Sequence, residues 1–311
     1  MLPVRSVPAV SPRPTIRVGR RARPAVIVEP YLWIAPALFV FFVFAQLPLL
    51  VEFVLSLYST DGLGRTDFVG LRNYADLAFD HAAWTAIAHN VIYAVVTVSL
   101  KLAVALGLAL ALNTAIAGRI VFRTVLFLPV VLSFVAVGTI WTLIYNFDDG
   151  ILNQILRRAG LGAFAYDWLG DARLAFGAVM TVDVWKWFGF HLVIYLAGLQ
   201  SVPSELHEAA AVDGAGAWRR FRHITLPMLR PYTGINLTIA TLGAFGVFDL
   251  VYVMTQGGPV RATDVAMNQV YLQAFQFNRV GYAAAESAAI LVITATLSAL
   301  IMRHMNRSEV A

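Results

Sequence analysis

Cysteine is absent from the 311 residues. That excludes a disulfide framework, a thiolate nucleophile and any Cys-based metal site, and it leaves the redox compartment open. Lysine is nearly absent too, with Lys101 and Lys186 standing against 21 arginines. A phosphate-cradling loop needs Gly-x-x-x-x-Gly-Lys-Ser/Thr. The two lysines sit instead in Ser-Leu-Lys-Leu and Val-Trp-Lys-Trp, so ATP hydrolysis by that route is excluded. There is no nucleophile elbow and no catalytic carboxylate pair. The histidines, His89 and His191 among them, lack ligand spacing, so neither a metal site nor a catalytic residue is expected.

Charge is scarce as well, at 13% of residues, while 59% are hydrophobic and the mean hydropathy is +0.72. These values lie outside the range of soluble globular domains and define a polytopic membrane protein in a lipid bilayer. A net charge of +5 and a pI near 9.6 would suit nucleic acid. The arginines, however, are spread over loops rather than gathered on one soluble face, so no nucleic-acid partner is expected.

Apolar runs at about 31–57, 86–113, 124–146, 174–200, 232–255 and 283–302 are each long enough to cross a hydrocarbon core of ~30 Å at ~1.5 Å per residue. The expected fold is therefore all-α with six transmembrane helices. Segments 1–30, 114–123, 201–231 and 303–311 hold 14 arginines, and the segments on the other side hold seven. The positive-inside rule then places both termini and the 201–231 loop in the cytoplasm. Residues 1–30 read as a basic tail, 31–305 as one membrane domain and 306–311 as a short cytoplasmic end. Arg20-Arg21 could mark a twin-arginine export signal, but the apolar run that follows is too long for a cleaved one.

The polar loop between the fourth and fifth runs is the most distinctive stretch. Glu208-Ala209-Ala210 is followed by Asp213-Gly214-Ala215, then by Phe221, Ile224, Leu226, Pro227 and Pro231. It reads as two short helices meeting at a bend. Ser204 opens the first and Asp213 caps the second, with Pro227 and Pro231 ending the second. The small side chains leave a flat surface. This spacing resembles the EAA loop of bacterial ABC-importer permeases, in which the loop docks into a cleft of a cytoplasmic ATPase.

Further stretches resemble the carbohydrate-uptake branch of that family, over residues 31 to 305. They are Phe68 to Tyr74, Phe248-Asp249 through Tyr252, Thr255, Gly257-Gly258-Pro259 and Gly281 to Ala285. The resemblance implies the six-helix type I permease fold of maltose, trehalose and glycerol 3-phosphate importers, with a cytoplasmic coupling helix between helices 4 and 5. It implies that Glu208, Ala209, Ala210, Asp213, Gly214, Ala215, Leu226 and Pro227 couple to the ATPase. It also implies a heteromeric complex in the inner membrane: a second, related permease chain, two ATPase subunits that bind ATP and Mg, and an extracytoplasmic solute-binding protein. No cofactor is expected on this chain itself. Gly257-Gly258-Pro259 reads as a sharp break where the fifth helix leaves the bilayer.

Six charged residues fall within the expected spans: Glu52, Lys101, Asp183, Lys186, Asp249 and Glu286. Each would cost about 2.5–3.5 kcal/mol at a helix centre, so each should face protein, a cavity or another charge. Asp183, Lys186, Trp187 and Phe190 share one stripe of the fourth helix, and Phe245, Phe248, Asp249 and Tyr252 repeat that spacing on the fifth. Carboxylate, ammonium and aromatic rings suit a sugar's hydroxyls and C–H faces. Asp183, Lys186, Trp187, Phe190, Asp249 and Tyr252 are candidates for a substrate pathway. The resemblance adds Gly243 and Val247. The sequence leaves open whether Asp183 and Lys186 simply pair with each other. Glu52, Glu286 and Lys101 read as side chains that snorkel, with pairing to a neighbouring helix as the alternative for Lys101. The expected function is import of a neutral sugar, since the spans carry no arginine cluster to hold a phosphate. Glycerol 3-phosphate import and proton-coupled secondary transport are the alternatives.

Overall fold

The computed structural model describes residues 24–307, apart from positions 61, 63, 65, 115 and 116. It divides into two units, 1–51 and 52–311. Most of the tail expected at 1–30 lies outside the described residues, as does the end of the chain after 307. In the first unit the helix begins at Pro24, earlier than the expected boundary at 31. It runs as α1 (Pro24–Phe41), a π-helical turn (Phe42–Gln46) and α2 (Leu47–Leu55). Its Tyr31–Leu55 part has a mean hydropathy of 2.4. Trp33, Phe39 and Phe44 are exposed along it, which is the surface a lipid-facing helix presents.

The second unit takes in the end of α2 and then a hairpin where a loop was expected. Strands β1 (Tyr58–Thr60) and β2 (Thr66–Phe68) pair antiparallel, with Tyr58 opposite Phe68. Helix α3 (Arg72–Phe79) follows, then α4 (His81–Leu112). Asp80 caps α4, accepting from the amides of Ala82 at 2.8 Å and Ala83 at 3.4 Å. This cap starts the helix five residues before the apolar run. Helices α5 (Arg119–Val131), α6 (Phe134–Ile144), α7 (Ile151–Arg158) and α8 (Ala175–Gln200) come next. After them stand α9 (Ser204–Val212), α10 (Ala217–Arg220), α11 (Leu226–Met228), α12 (Arg230–Phe245), α13 (Asp249–Thr255), α14 (Ala266–Tyr271) and α15 (Val280–Arg307).

Among the described residues, four helical segments are long and apolar enough to cross a membrane: Tyr31–Leu55, α4, α8 and Val280–Ile301. The expected third and fifth spans are not single helices. Between α5 and α6 the axis turns by 100°, and between α12 and α13 by 46°. At ~1.5 Å per residue neither α5 nor α6 alone spans ~30 Å. The first break falls at Leu132, which is extended at ψ 143, and Ser133 restarts the helix by accepting from the Ala136 amide at 3.2 Å. Hydropathy could not register it, because both arms are apolar.

Helices α4 and α8 form the centre. Ala105 and Ala109, one turn apart and fully buried, bring α4 close to Leu192, Tyr195, Leu196 and Leu199 of α8, the close approach that small residues allow between membrane helices. A larger cluster joins Tyr93 and Val98 of α4, Val179 and Val182 of α8, Ala240 and Phe245 of α12, and Leu250 of α13. A Cβ at Gly189 of α8 would overlap the Leu126 carbonyl, so α5 lies with its backbone against α8.

Candidate functional site

The break between α12 and α13 opens the floor of a cavity. Gly246 ends α12, and Phe248 takes a non-helical conformation, φ −143 and ψ −63. The carbonyl of Ala244 accepts from the buried Asn90 side chain at 3.1 Å, and the same amide accepts from the backbone of Ala266 at 2.7 Å. Asn90 thereby holds the broken helix to the start of α14. Polar groups freed by a break inside a membrane need such partners.

The cavity has a volume of about 130 Å³ and is lined by Lys101, Phe134, Asp183, Trp187, His191, Gly243, Val247, Phe248 and Asp249, among others. Asp183 does not pair with Lys186 one turn away. Its partner is Lys101 of α4, 2.5 Å from Oδ2, with both side chains buried. Lys101 therefore does not snorkel. His191 Nδ1 donates to Asn236 Oδ1 at 2.8 Å, and Asn236 donates back to the His191 carbonyl at 3.4 Å, tying α8 to α12. A Cβ at Gly243 would meet nothing within 4 Å, so the floor stays open there. Asp249 is exposed and lies in the first turn of α13, where the helix dipole favours a carboxylate.

Of the eight sequence-derived pathway residues, Asp183, Trp187, Gly243, Val247 and Asp249 thus meet at one cavity. Lys186, Phe190 and Tyr252 are not among its lining. Phe190 stands edge-on between Trp187 and His191, with ring centres 5.9 and 5.5 Å apart. Tyr252 stacks on Phe248 at 5.2 Å and reaches the Tyr271 hydroxyl at 3.4 Å. The break at Gly246 to Phe248 explains this, because Phe245 and Tyr252 do not share one continuous helical stripe. Lys186 turns away to the elbow between α5 and α6, where its Nζ lies 2.6 Å from the Leu132 carbonyl and 3.3 Å from those of Pro129 and Val130. Sequence reasoning missed Phe134, Asn90 and Asn236, and it left Lys101 without a role. Pro129 followed by Ser133, a break-and-restart pair, was the available signal for the elbow.

One other charged group and one turn also differ from expectation. Glu286 does not snorkel; it is buried, and neither carboxyl oxygen has a partner among the described residues. Near the end of α13, Gly257 takes φ +85 and Thr263 Oγ1 donates to the Gly258 carbonyl at 2.7 Å. Asp264 accepts from Asn268 at 2.7 Å, from Arg261 at 3.1 Å and from Gln269. The expected sharp turn at Gly257-Gly258-Pro259 is therefore a bonded knot.

The polar loop after α8 forms two helices about a turn, with different caps from those expected. Asp213 is the last residue of the α9 end rather than the cap of α10, and Gly216 occupies that second role. Gly214 takes φ +79. The Gly214 amide reaches the Ala211 carbonyl at 3.1 Å, and the Ala215 amide reaches that of Ala210 at 2.8 Å. This is the paired bonding of a Schellman motif, which calls for glycine at its left-handed position. Val212 and Trp218 stand out on either side of the turn, 89% and 71% exposed.

Pro227 and Pro231 do not end the second helix. Each occupies the first positions of a helical segment, where its missing amide costs nothing. Helical conformation consequently runs almost unbroken from Ala217, through a π turn at Phe221–Thr225, to Phe245.

A helical chain of several apolar crossings, with a charged and aromatic cavity among them and a polar turn feeding one of its cavity-lining helices, is a multi-pass membrane transport component. The chain belongs to the family of binding-protein-dependent transport system inner membrane components, whose model matches residues 103–309. It is the permease subunit of an ABC importer and not an enzyme; the ATPase is a separate subunit. The chain is 36% identical over 285 residues to the probable ABC transporter permease protein YurN of Bacillus subtilis, covering 91% of this chain and 97% of that one. It is 37% identical over 274 residues to the trehalose/maltose transport system permease protein MalF of Thermococcus litoralis, covering 88% and 91%. Its fold is similar to that of a chain in a bacterial alginate ABC transporter solved in complex with an alginate pentasaccharide-bound periplasmic protein. The TM-score is 0.80 at 22% identity, over 91% of this chain and 96% of that one.

Proposed function

We propose that this permease passes a neutral sugar across the cytoplasmic membrane by alternating access, driven by ATP hydrolysis on partner subunits. In this reading each bent pair counts as one crossing, giving six, with both termini and the Gly214 turn in the cytoplasm. A second permease chain completes the pore, two ATPase subunits carrying ATP and Mg sit beneath it, and an extracytoplasmic solute-binding protein delivers the sugar.

The observation that carries it is the almost continuous helical path from the Gly214 turn into α12. One end of the path presents exposed Val212 and Trp218. The other presents Ile239, Ala240 and Gly243 to the cavity. An ATPase gripping α9 and the turn, through Glu208, Ala209, Ala210, Asp213, Gly214 and Ala215, with Leu226 and Pro227 transmitting along the rod, would shift the cavity floor directly. The cavity is smaller than the roughly 300–1,000 Å³ of ligand pockets, so a sugar passes only after such a shift. Asp183, Trp187, Gly243, Val247 and Asp249 are then the residues that meet it.

A neutral cargo suits the charges present. Among the described residues, the one lysine or arginine lining the cavity is Lys101, already matched by Asp183, and no arginine stands there to hold a phosphate. The relative named for trehalose and maltose transport supports the same class. Proteoliposomes holding the complete complex should take up radiolabelled disaccharide only with ATP and the binding protein, and vanadate should stop uptake. Uptake that ignores ATP and collapses with an uncoupler would overturn the reading.

A further inference from the structure

Lys186 is 2% exposed, yet its ammonium has no carboxylate partner within 4.0 Å among the described residues. It spends its charge on backbone: the carbonyls of Pro129, Val130 and Leu132, at the point where α5 stops. A helix end leaves its last carbonyls unbonded, and an amine there satisfies them and opposes the negative end of the dipole. Inside a membrane no water can do this instead. The same ammonium lies 4.8 Å from the ring centre of Phe134 and 5.2 Å from that of Trp187. Those two rings are walls of the cavity, and their centres are 6.0 Å apart.

We infer that Lys186 is a positioning residue for substrate: by binding the α5 carbonyls at the elbow it fixes where Phe134 and Trp187 stand, and so sets the aromatic wall on which the sugar's C–H face packs. It does not itself touch the sugar. The close contact at Gly189 supports this, because α5 is already seated against α8 one turn along, which leaves the lysine to fix the elbow rather than the whole helix. Sugar rings gain from aromatic faces only at a defined separation, so a loosened wall should weaken binding more than turnover. The inference rests on the cavity being the sugar's path.

The test is a kinetic split in proteoliposomes with the full complex, using maltose as the probe. Lys186→Met should raise the KM of uptake about tenfold or more while leaving the maximal rate of ATP hydrolysis within about twofold. Lys186→Arg, which keeps donors for the carbonyls, should restore most of the loss. In a Phe134→Ala background, Lys186→Met should add little further to KM, because both changes remove the same wall.

An unchanged KM for Lys186→Met, or effects of Lys186→Met and Phe134→Ala that simply multiply, would overturn the inference. If Lys186→Met is not recovered in the membrane, the cycle is run with Lys186→Arg, whose longer head group shifts the elbow. It should then show a smaller KM change, again absent in the Phe134→Ala background, and multiplying effects would again overturn the idea. Trp187→Ala separates the two levels. Normal uptake by that variant removes the cavity itself as the path, whereas a raised KM there with none for Lys186→Met removes only the role of the lysine.

Discussion

Two lysines serve this chain in opposite ways. Lys101 meets a carboxylate across a helix interface, whereas Lys186 meets backbone carbonyls and two aromatic rings. The stripe on α8 was readable from spacing, but its pairing was not, because spacing along one helix is blind to what a neighbouring helix offers. The pair gives a sharp expectation. Lys101→Met alone leaves the Asp183 carboxyl buried without a partner, which costs about 3–5 kcal/mol, whereas replacing both by apolar residues of similar size is close to neutral. The single variant should therefore melt well below the parent in detergent. The double Lys101→Met, Asp183→Leu should recover thermal stability but not uptake. A double variant that transports normally would show that Asp183 holds helices together and does nothing for cargo.

At the scale of elements, the turn at Gly214 and the start of α4 are the two places where local rules bear most directly on function. A Cβ at Gly214 would meet nothing within 4 Å, so its requirement is purely conformational. Gly214→Ala should cost about 1–2 kcal/mol of local strain from the left-handed backbone, and Gly214→Pro should abolish the turn. The readout is co-purification of the ATPase and its stimulation by loaded binding protein. Both should weaken from Ala to Pro, and Glu208→Lys should act in the same direction. Unaltered stimulation in all three would remove the coupling role.

Asp80 is a simpler case. Burial pushes its carboxyl upward, but hydrogen bonds from Tyr282 and the Ala82 and Ala83 amides, with the charge of Arg279, outweigh this and hold it below its ordinary value of 3.8. The ionised cap therefore stabilises the fold above that pH and loses its contribution as pH falls through the lowered value. Asp80→Ala should cost about 0.5–2 kcal/mol at neutral pH. The gap from the parent in a thermal melt should narrow as the solution is acidified below 4.

At the scale of the chain, hydropathy located the four long apolar helices and both bent pairs among the described residues, because length and composition decide which segments a bilayer accepts. What it could not supply was shape along a stretch. The elbow at Leu132 and the bend at Gly246 to Phe248 are each decided by a few residues within runs that stay apolar throughout. The motif at 208–227 was likewise legible as a pattern, but its caps were displaced: the chain puts Asp213 at the end of one helix and glycine at the start of the next. The cavity was legible only in part, since Lys101 of α4 and Phe134 of α6 come from helices that the α8 stripe through Asp183, Trp187 and His191 does not reach.

The tightness of the space around Gly243 and Asp183 has a cost-saving side for a cell that keeps ion gradients. On the proposed path, a cavity of about 130 Å³ whose lysine is already matched by a carboxylate leaves a sugar no room while the subunit idles. In that reading, leakage is limited by the same side chains that part to let a sugar by.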